Sequence, residues 1–359
     1  MPADLFIDAR MWYHSGIGTY LQNLVPALAR RFATRVLVPA PILHLPGEQF
    51  VCRTPIYAPR EQLDVALRAD ACRLYWSPHY NMTALPLRTA RRLVTVHDVF
   101  HLAHAHTLSP ARRAYARLLI GHAVRRADRV VTVSRFSRDE IAHHTGIAPG
   151  RVTVIHNGVD AARFQNPLGP VVPGLPAGPY VLYVGNVKPH KNVLGLLEAF
   201  RQLTARAGFD DLHLVLVGNY AGLRTSVDDL PARIAAAGLR DRVHTPGRVD
   251  DAALPEFYRR AAAFAFPTFY EGFGLPPLEA MAAGCPAVVS RTGPLPEICG
   301  PAARYVNPED PGDIADGLGE VLHDADRRRA LVAAGRRRVA SFTWARAADA
   351  HARLIEELL

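Results

Sequence analysis

Residues 166–179 hold five prolines and three glycines, and no helix or central strand survives that composition. The segment therefore divides the chain. On both sides of it, short apolar runs alternate with helical periodicity, the pattern of parallel sheets joined by crossover helices. The expectation is an α/β chain with an N-terminal domain over 1–165, a linker over 166–179 and a second domain over 180–342. A last helix over 343–359 is introduced by Ser341-Phe342-Thr343-Trp344. A length of 359 residues suffices for two such cores. No apolar run approaches the roughly eighteen residues of a membrane span, and nothing before Asp4 resembles a signal peptide. Cys52, Cys72, Cys285 and Cys299 show no C-x-x-C spacing and read as reduced buried thiols of a cytosolic protein.

The most informative stretch runs over 261–284. An apolar segment, 261–267, reads as a buried strand. The loop after it carries Gly272 and Gly274, which let the backbone bend tightly and approach a ligand. Pro276 and Pro277 pre-set helical φ, and Gly284 is placed to end the helix. A glycine loop opening onto a helix N-terminus suits an anion. Glu271 and Glu279 bracket it in an E-x7-E spacing, with Glu279 expected in the first helical turn. A glutamate there is more often a dipole partner or cap, and such glycines are often turn chemistry alone. The conjunction, a backbone phosphate cradle between two acceptor-only side chains, suits a ligand with both phosphates and hydroxyls, such as a nucleotide sugar.

Charge is unevenly spread. Residues 1–178 hold 21 Arg and no Lys against 11 acids, whereas 179–359 hold 21 basic and 22 acidic residues. The basic half suits an anionic partner (nucleic acid, a membrane surface or an acidic substrate) or is simply a solvated Arg-rich surface. Only two of the 42 basic residues are lysines, Lys188 and Lys191, both in one loop. A Lys pair retained where Arg serves everywhere else points to a need for compact point charge.

In the first half, 5–8 reads as a strand and 11–18 as a loop ending in Gly16-Ile17-Gly18. A helix follows from Thr19, its expected N-cap. Leu21 takes the last position of a G-x-G-x-x-G, so the nucleotide-loop signal is partial. Strand 93–96 runs into His97 and Asp98, at the end where open α/β sheets bind ligands. A single His there is more often structural. His101, His104 and His106 follow, at a spacing that fits no zinc pattern, so no metal is expected. Residues 110–129 read as a basic helix that either rests on an anionic membrane or packs on the sheet with a solvated basic face. Strand 130–133, a helix from Ser134, its cap, and strand 152–155 with His156-Asn157-Gly158-Val159-Asp160 complete this half.

In the second half, strands are expected at 181–184, 212–217, 243–246 and 287–290. Helices are expected at 193–203, near 231–237, at 251–260, at 295–299 and from Asp313 onward.

FYEGFGLPPLEAMAAGCPAVVS resembles the signature of the retaining, nucleotide-sugar-dependent glycosyltransferases of group 1, with the GT-B fold. That resemblance implies two Rossmann-like domains facing across a cleft, with the terminal helix crossing back to the N-domain. It implies that Glu271 contacts hydroxyls of the transferred sugar and Glu279 the ribose. The backbone of Gly272, Phe273, Gly274 and Leu275 would face the diphosphate. GNVKPHKN at 185–192 is similar to the family's second donor element. Lys191 would neutralise the diphosphate as the leaving group departs, while Asn186 stands where many relatives have Arg. The Gly16–Gly18 loop would close over the donor diphosphate and acceptor, Asp8 and Arg10 belong to the same local pattern, and His97 would lie beside the donor sugar. Residues 8–20, HDVFHLAH and GNVKPHKN together look most like bacterial mannosyltransferases that extend lipid-linked surface polysaccharides. The implied donor is GDP-mannose, with a UDP-sugar as the alternative. The implied acceptor is a glycan or a lipid-diphosphate-linked glycan, met in the cytoplasm or at the inner membrane face. No cofactor or metal is implied. A non-catalytic module binding membrane or nucleic acid is the rival reading; it needs none of Glu271, Glu279 or Lys191, and no aromatic–basic RNA motif is present.

Overall fold

The computed structural model describes residues 3–58, 60–69, 72–105, 109–165, 175–219 and 229–359. The chain forms two compact units. One comprises Met1–Gly158 together with Thr343–Leu359, the other Val159–Phe342.

The first unit is built on seven parallel strands: β1 (Ala3–Asp8), β2 (Thr34–Val38), β3 (Glu48–Val51), β4 (Cys72–Ser77), β5 (Arg91–Thr95), β6 (Arg129–Thr132) and β7 (Val152–Val154). Their order is β3-β2-β1-β4-β5-β6-β7. Successive side chains of a strand point to opposite faces, so each strand serves two cores. Leu5 and Ile7 of β1 and Leu74 and Trp76 of β4 pack with Leu21, Leu24, Val25 and Leu28 of the Ile17–Ala29 helix. Ala348, Ala352 and Ile355 of the Trp344–Leu358 helix join the same cluster. Phe6 and Tyr75 face the other way, onto Val65, Ile120, Val124 and Ile141 from three further helices. Both faces being covered is what makes the central strands read as continuous apolar runs.

The first helix begins at Ile17, not Thr19, and its N-cap is Gly16 at φ 72°, with no side-chain cap. Gly18 lies inside it, where a Cβ would stand 2.6 Å from the Trp12 carbonyl oxygen. The basic helix ends at Arg126, since Ala127 is extended and the Asp128 N–H bonds the Arg92 carbonyl at the sheet. Ser134 does cap the next helix, accepting from the Ser137 N–H at 3.0 Å.

The second unit has six parallel strands: β8 (Tyr180–Val184), β9 (His213–Val217), β10 (Val243–Gly247), β11 (Ala263–Phe266), β12 (Ala287–Ser290) and β13 (Ala303–Val306). Their order, β10-β9-β8-β11-β12-β13, reverses direction between β8 and β11. The division between units falls after Gly158, ahead of the expected residue 165. The Ala161–Gln165 helix belongs to the second unit, where the Phe164 ring stands edge-on to Tyr258 at 5.7 Å. Of the linker, 166–174 lie outside the described residues, and 175–179 carry neither helix nor strand. All four cysteines are buried thiols.

Candidate active site

In an open parallel sheet the strand ends on either side of the order reversal leave a crevice for ligands. In the second unit those ends belong to β8 and β11, and the segments carrying Asn186 and Lys191, and Glu271 to Glu279, follow them. The chain leaves β8 through Gly185 and makes a short 3-10 turn, Pro189–Lys191. Asn192 then adopts a left-handed φ of 57°. Its side chain holds it there, donating to the carbonyls of Pro267 at 3.0 Å and Pro308 at 2.6 Å. The turn is thus tied to the ends of β11 and β13. A further bond, from the Phe269 N–H to the His190 carbonyl at 2.8 Å, joins it to the loop after β11. The result brings Lys191 Nζ to 2.6 Å from Glu271 Oε1, with side-chain exposures of 20% and 11%. The ammonium also lies 5.9 Å from the Phe266 ring centroid. Ser290 and Thr292 hydroxyls both donate to the Thr268 carbonyl and fix the entry to this loop. The Tyr183 hydroxyl donates to the Asn186 carbonyl at 3.4 Å.

The helix after Glu271 runs from Leu275 to Ala282. Gly274 precedes it at φ 102°, and a Cβ there would stand 2.7 Å from Leu295 Cδ2. Pro276 and Pro277 contribute no N–H, so the donors at this helix end are those of Gly274 and Leu275. Glu279 is not in the first turn: it is the fifth helical residue, too far along to cap the end. Instead its carboxylate accepts from the Tyr258 hydroxyl at 2.9 Å. Burial raises its pKa above the usual carboxylate value, and the Tyr258 bond offsets that only in part. Burial and then Glu279 push the Tyr258 hydroxyl well up, so it remains a donor.

Gly16, Gly18 and His97 belong to the first unit. His97 follows β5, and its Nε2 lies 3.0 Å from the Pro78 carbonyl, which makes Nε2–H the donor and leaves Nδ1 as acceptor. Burial holds its pKa down at about 4, so the ring is neutral at neutral pH. Its plane stands nearly perpendicular to Tyr20, at 4.8 Å. Tyr20 is itself fixed from behind. Its hydroxyl lies 2.6 Å from His351 Nε2 and 3.2 Å from Thr95 Oγ1, and Trp76 Nε1–H donates to the same Thr95 oxygen. His351 Nδ1 lies 2.7 Å from the Ala347 carbonyl, so Nε2 is free to accept.

Asp8 and Arg10 form a buried fork of 2.8 and 2.6 Å bonds, and Arg10 also donates to Glu61 at 2.9 Å. Burial alone would raise the Asp8 pKa, but the guanidinium overrides it and holds the carboxyl far below its ordinary range. Sequence reasoning missed Glu61, Asn192, Tyr258 and His351, whose partners are remote along the chain. His101 and His104 contact the rings of Tyr80 and Phe100, and His106 lies outside the described residues. Among the described residues no group of three or more His, Cys, Asp or Glu is arranged to hold a metal ion.

Comparison with known proteins bears on both units. Residues 174–338 match the family described as glycosyl transferases group 1, and residues 14–163 match glycosyltransferase family 4. The O-antigen chain mannosyltransferase B of Escherichia coli is 30% identical over 285 residues, covering 78% of this chain and 73% of the relative. The O-antigen chain mannosyltransferase RfbU of Salmonella typhimurium is 27% identical, over 69% of this chain and 64% of the relative. Among solved structures, HepE of Anabaena in complex with UDP and glucose superposes with a TM-score of 0.79 at 18% identity, covering 99% of this chain and 100% of that one. Such likeness identifies the fold as GT-B.

Proposed function

From the premise that this chain belongs to the group 1 glycosyl transferases, we propose that it moves a hexose from a nucleotide diphosphate donor to an acceptor hydroxyl with retained anomeric configuration. The observation that carries the reading is the Lys191–Glu271 pair beside the Gly274-led helix, at the order reversal of the second sheet. In this reading the Lys191 ammonium and the N–H groups of Gly274 and Leu275 take the charge that builds on the departing phosphate. Glu271 accepts from hydroxyls of the sugar, and Glu279, oriented by Tyr258, accepts from the ribose hydroxyls. His97, neutral, offers Nδ1 to a sugar hydroxyl. The acceptor hydroxyl attacks from the face the phosphate leaves: its oxygen bonds to the anomeric carbon as the sugar–phosphate C–O bond breaks, and its proton passes to the departing phosphate. Asn186, where an arginine is more usual, puts more of the neutralisation on Lys191. No metal is required, since fixed protein charge and dipoles supply the electrostatics.

Mannose from a GDP donor is the preferred substrate, supported by the two O-antigen mannosyltransferases among the relatives. A UDP-sugar is the alternative, supported by the UDP and glucose bound to HepE. The acceptor is a glycan or lipid-diphosphate-linked glycan of a surface polysaccharide, met on the cytoplasmic side of the membrane. Exposed Tyr115 and Leu118 among Arg112, Arg113 and Arg117 on the Pro110–Arg126 helix suit contact with an anionic membrane. Among the described residues no helix is long and apolar enough to cross one.

Thermal stabilisation by GDP, UDP, ADP, GDP-mannose, UDP-glucose and UDP-N-acetylglucosamine tests the donor site. A shift with one base, lost in Lys191→Ala and Glu279→Ala, is expected. No shift with any of the six would overturn the reading.

A further inference from the structure

The first unit has a cavity that the donor chemistry leaves unused. It measures about 660 Å³ and opens where the chain leaves β2 and β3, among Pro41, residues 51–55 and the Glu61–Arg68 helix. Strand carboxyl ends are where parallel sheets present ligand sites, and this volume lies within the range that holds a small ligand.

Its walls are of two kinds. Arg53, Arg60 and Arg68 stand in the lining with a single acidic residue, Asp64. Asp64 is already engaged: the Thr54 hydroxyl donates to it, and Arg60 and Arg68 lie 3.5 and 3.4 Å away. Arg53 is exposed at the rim and has no ion-pair partner among the described residues. The lining therefore keeps an excess of positive charge that one carboxylate does not cancel. Arg60, Asp64 and Arg68 repeat at intervals of four, so they share one face of the helical segment. Leu63 and Leu67 form the adjacent row and are 53% and 68% exposed, while Val65 and Glu61 turn inward. A cationic hollow bordered by an uncovered apolar row matches an amphiphile with a phosphorylated head.

We propose that this cavity binds the phosphate or diphosphate head of a lipid-linked acceptor, with the three arginines on its oxygens and Leu63 and Leu67 against the hydrocarbon. The proposal rests on the reading of the chain as a glycosyltransferase with such an acceptor. Guanidinium forks match phosphate oxygens in geometry as well as charge. A freely soluble phosphate would leave the leucine row without a purpose.

The test uses the full chain and two probes, inorganic pyrophosphate and farnesyl diphosphate, titrated calorimetrically. The proteins are wild type, the triple variant Arg53→Gln/Arg60→Gln/Arg68→Gln, and Lys191→Ala. Wild type is expected to bind pyrophosphate at two sites, the triple variant losing one and Lys191→Ala the other. Farnesyl diphosphate should bind the arginine site more tightly than pyrophosphate does. It should weaken by at least about tenfold in the triple variant, with the melting temperature and nucleotide stabilisation unchanged. Loss in the triple variant with Lys191→Ala behaving as wild type would sustain the cavity and sink the donor reading. Both probes binding the triple variant as they bind wild type would overturn the proposal. So would a triple variant that binds both probes normally and loses only its retention on phosphatidylcholine vesicles containing phosphatidylglycerol, which would make these arginines a general membrane surface.

Discussion

Lys191 Nζ and Glu271 Oε1 stand 2.6 Å apart, the one in the turn that follows β8 and the other in the loop that follows β11. Each thereby holds the other's charge while the donor is absent. A donor that takes the ammonium to its phosphate and the carboxylate to its sugar exchanges this one bond for several. On the proposed reading, both partners of this pair would be redirected when a donor binds.

Substituting Lys191→Ala is therefore expected to weaken nucleotide diphosphate binding by about 10- to 100-fold, the worth of a charged hydrogen bond, and to lower kcat by about 10²- to 10³-fold. Glu271→Ala should lower transfer by orders of magnitude with the fold intact, as judged by circular dichroism and melting. Near-normal turnover by Glu271→Ala would remove that residue from the reaction.

With Glu279 in its proposed role at the ribose, its raised pKa would give donor binding a pH dependence. The ionised carboxylate accepts from ribose and the protonated one accepts poorly, so affinity should fall as pH drops through a value above that of an ordinary glutamate. In the unliganded protein the sign is opposite. A carboxyl whose folded pKa is raised favours the folded state at low pH and loses that contribution as pH rises through the raised value. Glu279→Gln should flatten the pH profile of nucleotide affinity, measured by calorimetry between pH 4 and 8; an unchanged profile would assign the titration to another group.

His97 and His351 are both held neutral, with pKa values lowered from 6.5 to about 4 by burial. The unfolded chain takes up protons near 6.5 that the folded chain refuses until about 4. Stability should accordingly fall as pH drops through that window, by at most about 1.4 kcal/mol per pH unit for each histidine. Urea unfolding across the window should show a shallower slope for His351→Gln. Tyr20→Phe removes the bonds to His351 and Thr95 and leaves the buried His351 Nε2 without its donor, at about 1–3 kcal/mol, while Thr95 Oγ1 keeps the Trp76 N–H.

Gly185 and Gly218 approach each other so closely at the ends of β8 and β9 that a Cβ on Gly218 would fall 2.0 Å from the Gly185 carbonyl oxygen. Gly218 also sits at φ 149°. Gly218→Ala should cost about 3 kcal/mol or more, through both the clash and the strain. Gly146→Ala makes the control: its φ is 73°, yet nothing lies within 4 Å of a new Cβ, so only the backbone term of about 1 kcal/mol applies. Urea midpoints that fail to rank the two variants in this order would refute the packing argument.

The strand, the glycine loop and the proline-led helix around Glu271 were legible because each is punctuated locally, by an apolar run, by Gly272 and Gly274, and by Pro276. Glu279 was placed in the right helix but in the wrong turn, because the helix starts at Leu275 and not at the prolines. Asn192 was invisible as a determinant, since the carbonyls that justify its left-handed backbone belong to Pro267 and Pro308. His351 was equally hidden: its partner, Tyr20, is at the other end of the chain. β2, β3 and β4 passed unread because each has a charged residue in its first two positions, which shortens its apolar run. Pattern reports what neighbours in sequence agree on, and these features depend on agreement between distant segments.

The first unit is assembled from two separate segments, residues 1–158 and 343–359, whereas the second is the one uninterrupted segment between them. A ribosome therefore finishes every residue of the second unit before it supplies the Trp344–Leu358 helix that the first unit needs. Until then Leu21, Leu24 and Val25 lack the apolar cover that helix gives them, and Tyr20 lacks His351. The part made first is completed last. A message cut short before the Trp344–Leu358 helix would thus yield a protein whose damage lies in the unit made first.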